Sequence, residues 1–208
     1  MILYPLLRKH NLFYFVICKL DRIRRKKLRK KYNFGEWHDI SFFDKQYAID
    51  IVDFINCLAT LENWKENAVE IGCGIGDIIG NLKMRKKTGI DCSEEALRCL
   101  KNQYPTVDCI LGSFEQIDKI VGKVDVLIAV NFIHGIAPDE LKRNLDRILK
   151  KCDVKCIVLD CVKGEGYKYF HNPYDLCGND YVRIARSKVY PAAHNSERWI
   201  EYWRKKDS

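Results

Sequence analysis

One stretch of the 208-residue chain has residue types and spacing suited to holding a charged ligand: Val69-Glu70-Ile71-Gly72-Cys73-Gly74-Ile75-Gly76-Asp77-Ile78-Ile79-Gly80. A β-branched apolar run opens it and reads as a buried strand. Three alternate glycines follow, then an apolar run that predicts the start of a helix. Glycine admits positive φ and puts no Cβ in a ligand's way. A helix start adds free N–H groups and a positive dipole end. A carboxylate or phosphate suits such a place. The dinucleotide pattern needs glycine at its first, third and sixth positions. Counted from Gly72, the sixth is Asp77, so that pattern fails.

The spacing present is acid-x-Gly-x-Gly-x-Gly, with Glu70 as the acid. It resembles the first motif of the class I S-adenosylmethionine-dependent methyltransferases. Thr88-Gly89-Ile90-Asp91 reads as the next strand, and a carboxylate at its end can accept both ribose hydroxyls. Ser93 then caps a helix with Glu94 and Glu95 in its first turn. The family commonly has Gly-Ile-Asp-x-Ser-x-x-Ala-Leu here, and Gly89 to Leu97 match it. The resemblance implies an α/β fold: a Rossmann-like, seven-stranded, mostly parallel sheet with an antiparallel C-terminal hairpin and helices on both faces. It implies S-adenosylmethionine as cofactor, held by Glu70, Gly72, Cys73, Gly74, Gly76 and Asp91. Cys92 is small enough to pack beneath the adenine. After the third strand, Val107–Gly112, the family usually has an acid that accepts from the adenine amino group. Ser113-Phe114 stands there instead, so Ser113 becomes a weaker acceptor and Phe114 a cover for the adenine face.

The elements that must position these residues read in order. Ser41 is expected to cap a helix of about 20 residues, whose buried stripe is Phe43, Tyr47, Ile51, Phe54 and Leu58. Trp37 and His38 before it are expected on the surface, with reach to the site as the alternative. The fourth strand, Val124–Val130, is nearly all apolar, as a central parallel strand should be. Ligands bind outside the carboxyl ends of such strands. That places Asn131 and His134 near the transferred methyl. Pro138, Asp139 and Glu140 start a helix with Leu141, Leu145, Ile148, Leu149 and Cys152 inward. Cys156–Cys161 is the fifth strand, ending beside Asp160. A polar, aromatic loop from Gly164 to Tyr174 carries His171. Tyr181–Arg186 and Trp199–Trp203 read as the closing strands, around a turn holding Pro191, Asn195 and Ser196.

Charge divides the chain into a basic amphipathic arm, 1–31, and a methyltransferase domain, 32–208. The arm has a net charge of +10 and the remainder −2. Neither apolar part of the arm is long enough to span a bilayer. Basic arms meet anionic membranes or nucleic acid. The bland alternative packs Leu12–Ile17 on the domain and leaves the basic run solvated. The ten cysteines come without a secretory signal or a Cys-x-x-Cys pair. Reduced thiols in a cytoplasmic protein, with no metal site, are the expectation.

The resemblance implies an enzyme that methylates a small molecule or glycan, at a hydroxyl oxygen. An imidazole titrates near neutrality, which makes His134 the first candidate base, His171 the second and Asp160 the third. The chain lacks the Asn/Asp-Pro-Pro-aromatic motif of enzymes that methylate base amines and the Pro-Cys of those that methylate cytosine C5. Two rivals remain: an RNA methyltransferase that uses the arm to hold phosphates, and a cofactor-binding module without catalysis. The acceptor partner is otherwise open, as is the oligomeric state.

Overall fold

The computed structural model describes residues 12–120 and 122–206. Residues 1–11, the first apolar part of the arm, lie outside them. The sheet runs β3-β2-β1-β4-β5-β8-β6. Its strands are β1 (Asn67–Ile71), β2 (Lys86–Asp91), β3 (Asp108–Leu111), β4 (Gly122–Ala129), β5 (Cys152–Lys163), β6 (Tyr181–Arg186), the short β7 (Tyr190–Pro191) and β8 (Glu197–Lys205). The first five pair in parallel. β8 is antiparallel to β5, and both β6 and β7 pair with it. This is the Rossmann-like methyltransferase architecture, with the expected closing hairpin and a small extra strand. Pro191, expected in a turn, is in that strand.

Two cores lie on opposite faces of the sheet. One is built by α2 (Gln46–Leu61) and α3 (Glu94–Gln103) over Ala68, Val126, Ile128 and Val158. The other is built by α4 (Pro138–Lys151) and the short α5 (Pro173–Cys177) over Val69, Leu127, Ala129 and Ile157. Alternation along β1 and β4 sends neighbouring side chains to different cores. α3 begins as expected, with the Ser93 hydroxyl accepting from the Ala96 N–H at 3.1 Å. α4 carries Pro138, Asp139 and Glu140 in its first turn.

Three local expectations are corrected. Ser41 caps a single 3-10 turn, Phe42–Asp44, and α2 starts later, at Gln46. The inward stripe of α2 is accordingly Ala48, Ile51, Val52 and Ile55, while Tyr47, Phe54 and Leu58 are only partly buried. Cys152 belongs to β5, beyond the end of α4, and β5 is twice the expected length. No α-helix follows the glycine loop. Turns and one 3-10 turn, Ile79–Asn81, lead straight to β2. Ile78, Ile79 and Leu82 are buried there at helix-compatible spacing, but no α-helix forms because the chain must return to Lys86 within a few residues.

α1 (Leu12–Tyr32) is one continuous helix. Its Arg25 is 2% exposed and bridges Asp21 at 2.8 Å and Asp77 of the glycine loop at 2.7 Å. Asp21 also accepts from the Ser41 hydroxyl and the Phe42 N–H. A buried charge of this kind persists only with such partners. The helix is thereby fixed to the segment that precedes α2.

Candidate active site

A cavity of about 810 Å³ lies at the carboxyl ends of β1, β2 and β4. Eight of the ten cofactor candidates line it: Glu70, Gly72, Cys73, Gly74, Asp91, Cys92, Ser113 and Asn131. Gly76 and Phe114 do not. Gly76 backs onto Leu100, and Phe114 is buried in the second core. The ring that borders the cavity is Phe132, 5.7 Å from that of Phe114.

No Cβ fits at the two glycines that turn the loop along the cavity. Gly72 has φ +71°, and a Cβ there would come 2.5 Å from the Phe132 ring. Gly74 has φ +52°, and its Cβ would come 2.3 Å from Cε1 of His38. Asp91 accepts from the Gly74 N–H at 2.7 Å and from the Ser93 N–H at 2.9 Å. These bonds hold the loop at the end of β1 against the end of β2. Glu70 accepts from the Ile79 N–H at 2.8 Å, so its carboxylate caps the 3-10 turn. Burial pushes the Glu70 carboxyl well up, and that N–H opposes the rise.

Sequence reasoning missed part of this end. Asp77 takes Lys45 Nζ at 2.6 Å as well as Arg25. Burial would raise the Asp77 carboxyl, but Lys45 and Arg25 hold it below its ordinary value. Asp77 is inside the glycine stretch and was legible as a polar interruption; nothing local marks Lys45 or Arg25 as its partners. His38 lines the cavity instead of lying on the surface, and burial, helped by Lys45, lowers it to about 4. Trp37 also borders the cavity yet is 67% exposed.

The opposite end of the cavity is lined by Tyr47, Tyr167, Tyr190 and Arg198. Two of the three catalytic candidates, His134 and Asp160, stand just behind it together with Arg198. His134 Nε2 is 3.9 Å from Asp160 Oδ2, and Arg198 Nε is 3.3 Å from the same oxygen. All three residues are more than nine-tenths buried. His134 Nε2, both Asp160 oxygens and Arg198 Nε nevertheless make no hydrogen bond within the described residues. Tyr167, which lines the cavity, meets the His134 ring edge-on at 4.7 Å. Burial lowers the His134 pKa against the pull of Asp160. His171 is turned away: its Nε2 bonds the Ile133 carbonyl at 2.9 Å, and burial lowers it too. Among the described residues no cluster could hold a metal ion.

The sheet order and the cavity at the strand ends are those of the Rossmann-like methyltransferase fold. Residues 68–152 match the model of a methyltransferase domain. The match and the shared fold support an S-adenosylmethionine-dependent methyltransferase. No curated protein matches it. Solved structures share the fold at low identity. Magnesium protoporphyrin IX methyltransferase from Synechocystis PCC 6803, with bound S-adenosylhomocysteine, is 14% identical with a TM-score of 0.61, over 93% of this chain and 99% of that one. A methyltransferase from Clostridium acetobutylicum ATCC 824 is 15% identical with a TM-score of 0.60, over 88% and 99%. The bifunctional kinase-methyltransferase WbdD is 19% identical with a TM-score of 0.62. The match covers 83% of this chain but only 42% of WbdD. The residues present fit the cofactor: glycines with no room for a Cβ, a carboxylate at the end of β2 in Asp91, and a cavity of sufficient size.

Proposed function

We propose that this methyltransferase acts on a hydroxyl oxygen of a small molecule or glycan. S-adenosylmethionine, when bound, supplies a methyl group already activated by its sulfonium. Glu70, Gly72, Cys73, Gly74, Asp91, Cys92, Ser113 and Asn131 form its side of the cavity. Gly76 shapes the loop from behind, and Phe114 backs Phe132. The acceptor lies at the end lined by Tyr47, Tyr167, Tyr190 and Arg198. Positioning there accounts for most of the rate.

The observation that carries the reading is the His134–Asp160–Arg198 cluster, in ion-pair contact but with four buried polar atoms that make no hydrogen bond. Such atoms cost free energy, and they concentrate at functional sites. A neutral His134, kept so by burial, takes the acceptor proton once the Tyr167 ring turns aside. Asp160 orients it, and His171 is the next candidate. The partners in this reading are the acceptor and, through residues 1–31, an anionic membrane surface on the cytoplasmic side. Nucleic acid is disfavoured because no residue pattern here reads a base.

The test is methyl transfer to a panel of phenols, sugars and lipid-linked saccharides, followed by mass spectrometry. An O-methylated product with stoichiometric S-adenosylhomocysteine supports the reading. Methylation of RNA alone, or cofactor binding without turnover on the whole panel and on RNA, overturns it.

A further inference from the structure

The solvent side of α1 carries exposed apolar side chains. Leu12, Phe15, Val16, Leu20 and Ile23 are 78%, 64%, 41%, 59% and 44% exposed. At 3.6 residues per turn, residues 12, 16, 19, 23, 26 and 30 form one line along the helix. That line reads Leu, Val, Lys, Ile, Lys, Lys, with Phe15, Leu20 and Lys27 beside it. Its first turns are therefore apolar and its last turns cationic, on the same face. The opposite side carries the buried Cys18, Asp21 and Arg25. Asp21 is the sole acid of the helix, and it is spent on Arg25, Ser41 and Phe42. Lys19, Lys26, Lys27 and Lys30 are exposed and pair with no carboxylate among the described residues.

We propose that this face of α1, from Leu12 to Lys30, is a docking surface for anionic lipid, lying in the plane of the bilayer interface. Charge complementarity selects the partner: the free lysines meet headgroups while the apolar turns enter the acyl boundary. No described helix is long and apolar enough to cross a membrane. A second copy of the chain would bring lysines at 19, 26 and 30 against one another. Nucleic acid would engage the lysines but leave five large apolar side chains in water. The helix is not a loose tether. Arg25 fixes it to Asp77 at the glycine loop, and Arg29 bridges Asp39 at 3.0 Å. A docked α1 thus holds the cavity, whose rim includes the exposed Trp37 and Ile40, at a set distance from the lipid.

The inference extends the membrane partner named above and is independent of the acceptor's chemistry. It is read by co-sedimentation of the full chain with vesicles, apart from any methyl-transfer assay. Wild type should bind phosphatidylcholine vesicles containing phosphatidylserine and ignore phosphatidylcholine alone. Each lysine near such a surface contributes about fivefold. K26E/K27E should therefore weaken binding by about 25-fold or more, and L20E/I23E should abolish it. Both variants change exposed side chains and should keep wild-type cofactor affinity by calorimetry. If L20E/I23E misfolds, K26E/K27E carries the test alone. Three results would overturn the proposal: no wild-type binding to anionic vesicles at low salt, tighter binding to single-stranded RNA than to vesicles, or a dimer by light scattering that L20E/I23E dissociates.

Discussion

At the cofactor end of the cavity the polar groups answer one another. Asp91 takes two backbone N–H groups, Glu70 takes one, and Asp77 is matched by Arg25 and Lys45. At the opposite end, proposed above for the acceptor, His134, Asp160 and Arg198 crowd together with four buried polar atoms that make no hydrogen bond. The first end is closed by backbone geometry and ion pairs before any ligand arrives, which is the meaning of preorganisation. The second carries polar capacity that the protein itself does not satisfy. The function proposed above puts binding at one end and the proton step at the other. Substitutions at the two ends should then change different observables.

The largest separation is expected from His134→Ala. Removing a general base costs about 10²–10⁴-fold in turnover. Cofactor affinity, set at the other end, should stay within about twofold. Both are measurable once an acceptor is known, by steady-state kinetics and calorimetry. Unchanged kcat would make His134 a structural histidine, and His171→Ala would then be the next variant. A large loss of cofactor affinity would break the division between the two ends.

The same contrast governs what the residues reveal without a structure. The cofactor end is written locally: acid, glycines, ribose-side acid and capped helix fall within 28 residues of one another, from Glu70 to Leu97. Most strand positions follow from apolar runs of the right length. The acceptor end is assembled from distant segments. His134 follows β4, Asp160 lies in β5, Arg198 in β8, Tyr167 in a loop and Tyr47 in α2. No spacing announces that Arg198 will lie beside Asp160. Nor does spacing reveal that Arg25, in a run of basic residues, is the buried one. The missing helix after the glycine loop is a different failure. Ile78 and Ile79 look like a helix start, but the short return to β2 decides otherwise.

Asp91→Ala should come next in size, at the cofactor end alone. A hydrogen bond to a charged group is worth about 1.5–3 kcal/mol, so affinity for S-adenosylmethionine should fall about 10–100-fold. Asp91 also holds the Gly74 and Ser93 N–H groups, so part of that loss reflects a loosened loop. Asp91→Asn separates the contributions, because its one amide oxygen can still accept. Calorimetry that gives equal affinities for wild type and Asp91→Ala would remove Asp91 from the site.

The smallest effect expected is a pH dependence that belongs to the cofactor end. His38 is pressed against Gly74, and burial, then Lys45, lowers it to about 4 from an ordinary 6.5. The folded protein therefore keeps this ring neutral where the unfolded chain protonates it. Above pH 6.5 neither state binds the proton and the histidine leaves stability unchanged. As pH falls from 6.5 towards 4, only the unfolded state gains the proton, so stability is lost across that window and levels off below it. A shift of this size corresponds to about 3 kcal/mol for a fully enclosed ring. His38 is only partly enclosed, and about 1–2 kcal/mol is expected. Carboxylates paired with Arg25 and Lys45 release their stabilisation at lower pH, because their pKa values lie below the ordinary range. His134 and His171 also titrate low, but they are present in both proteins of the comparison. Urea unfolding of wild type and His38→Gln at pH 7 and pH 4.5 isolates the ring. The variant should lose less stability on acidification, by that 1–2 kcal/mol. Parallel losses would mean that His38 is solvated, and the ring would then no longer be part of the preorganised end.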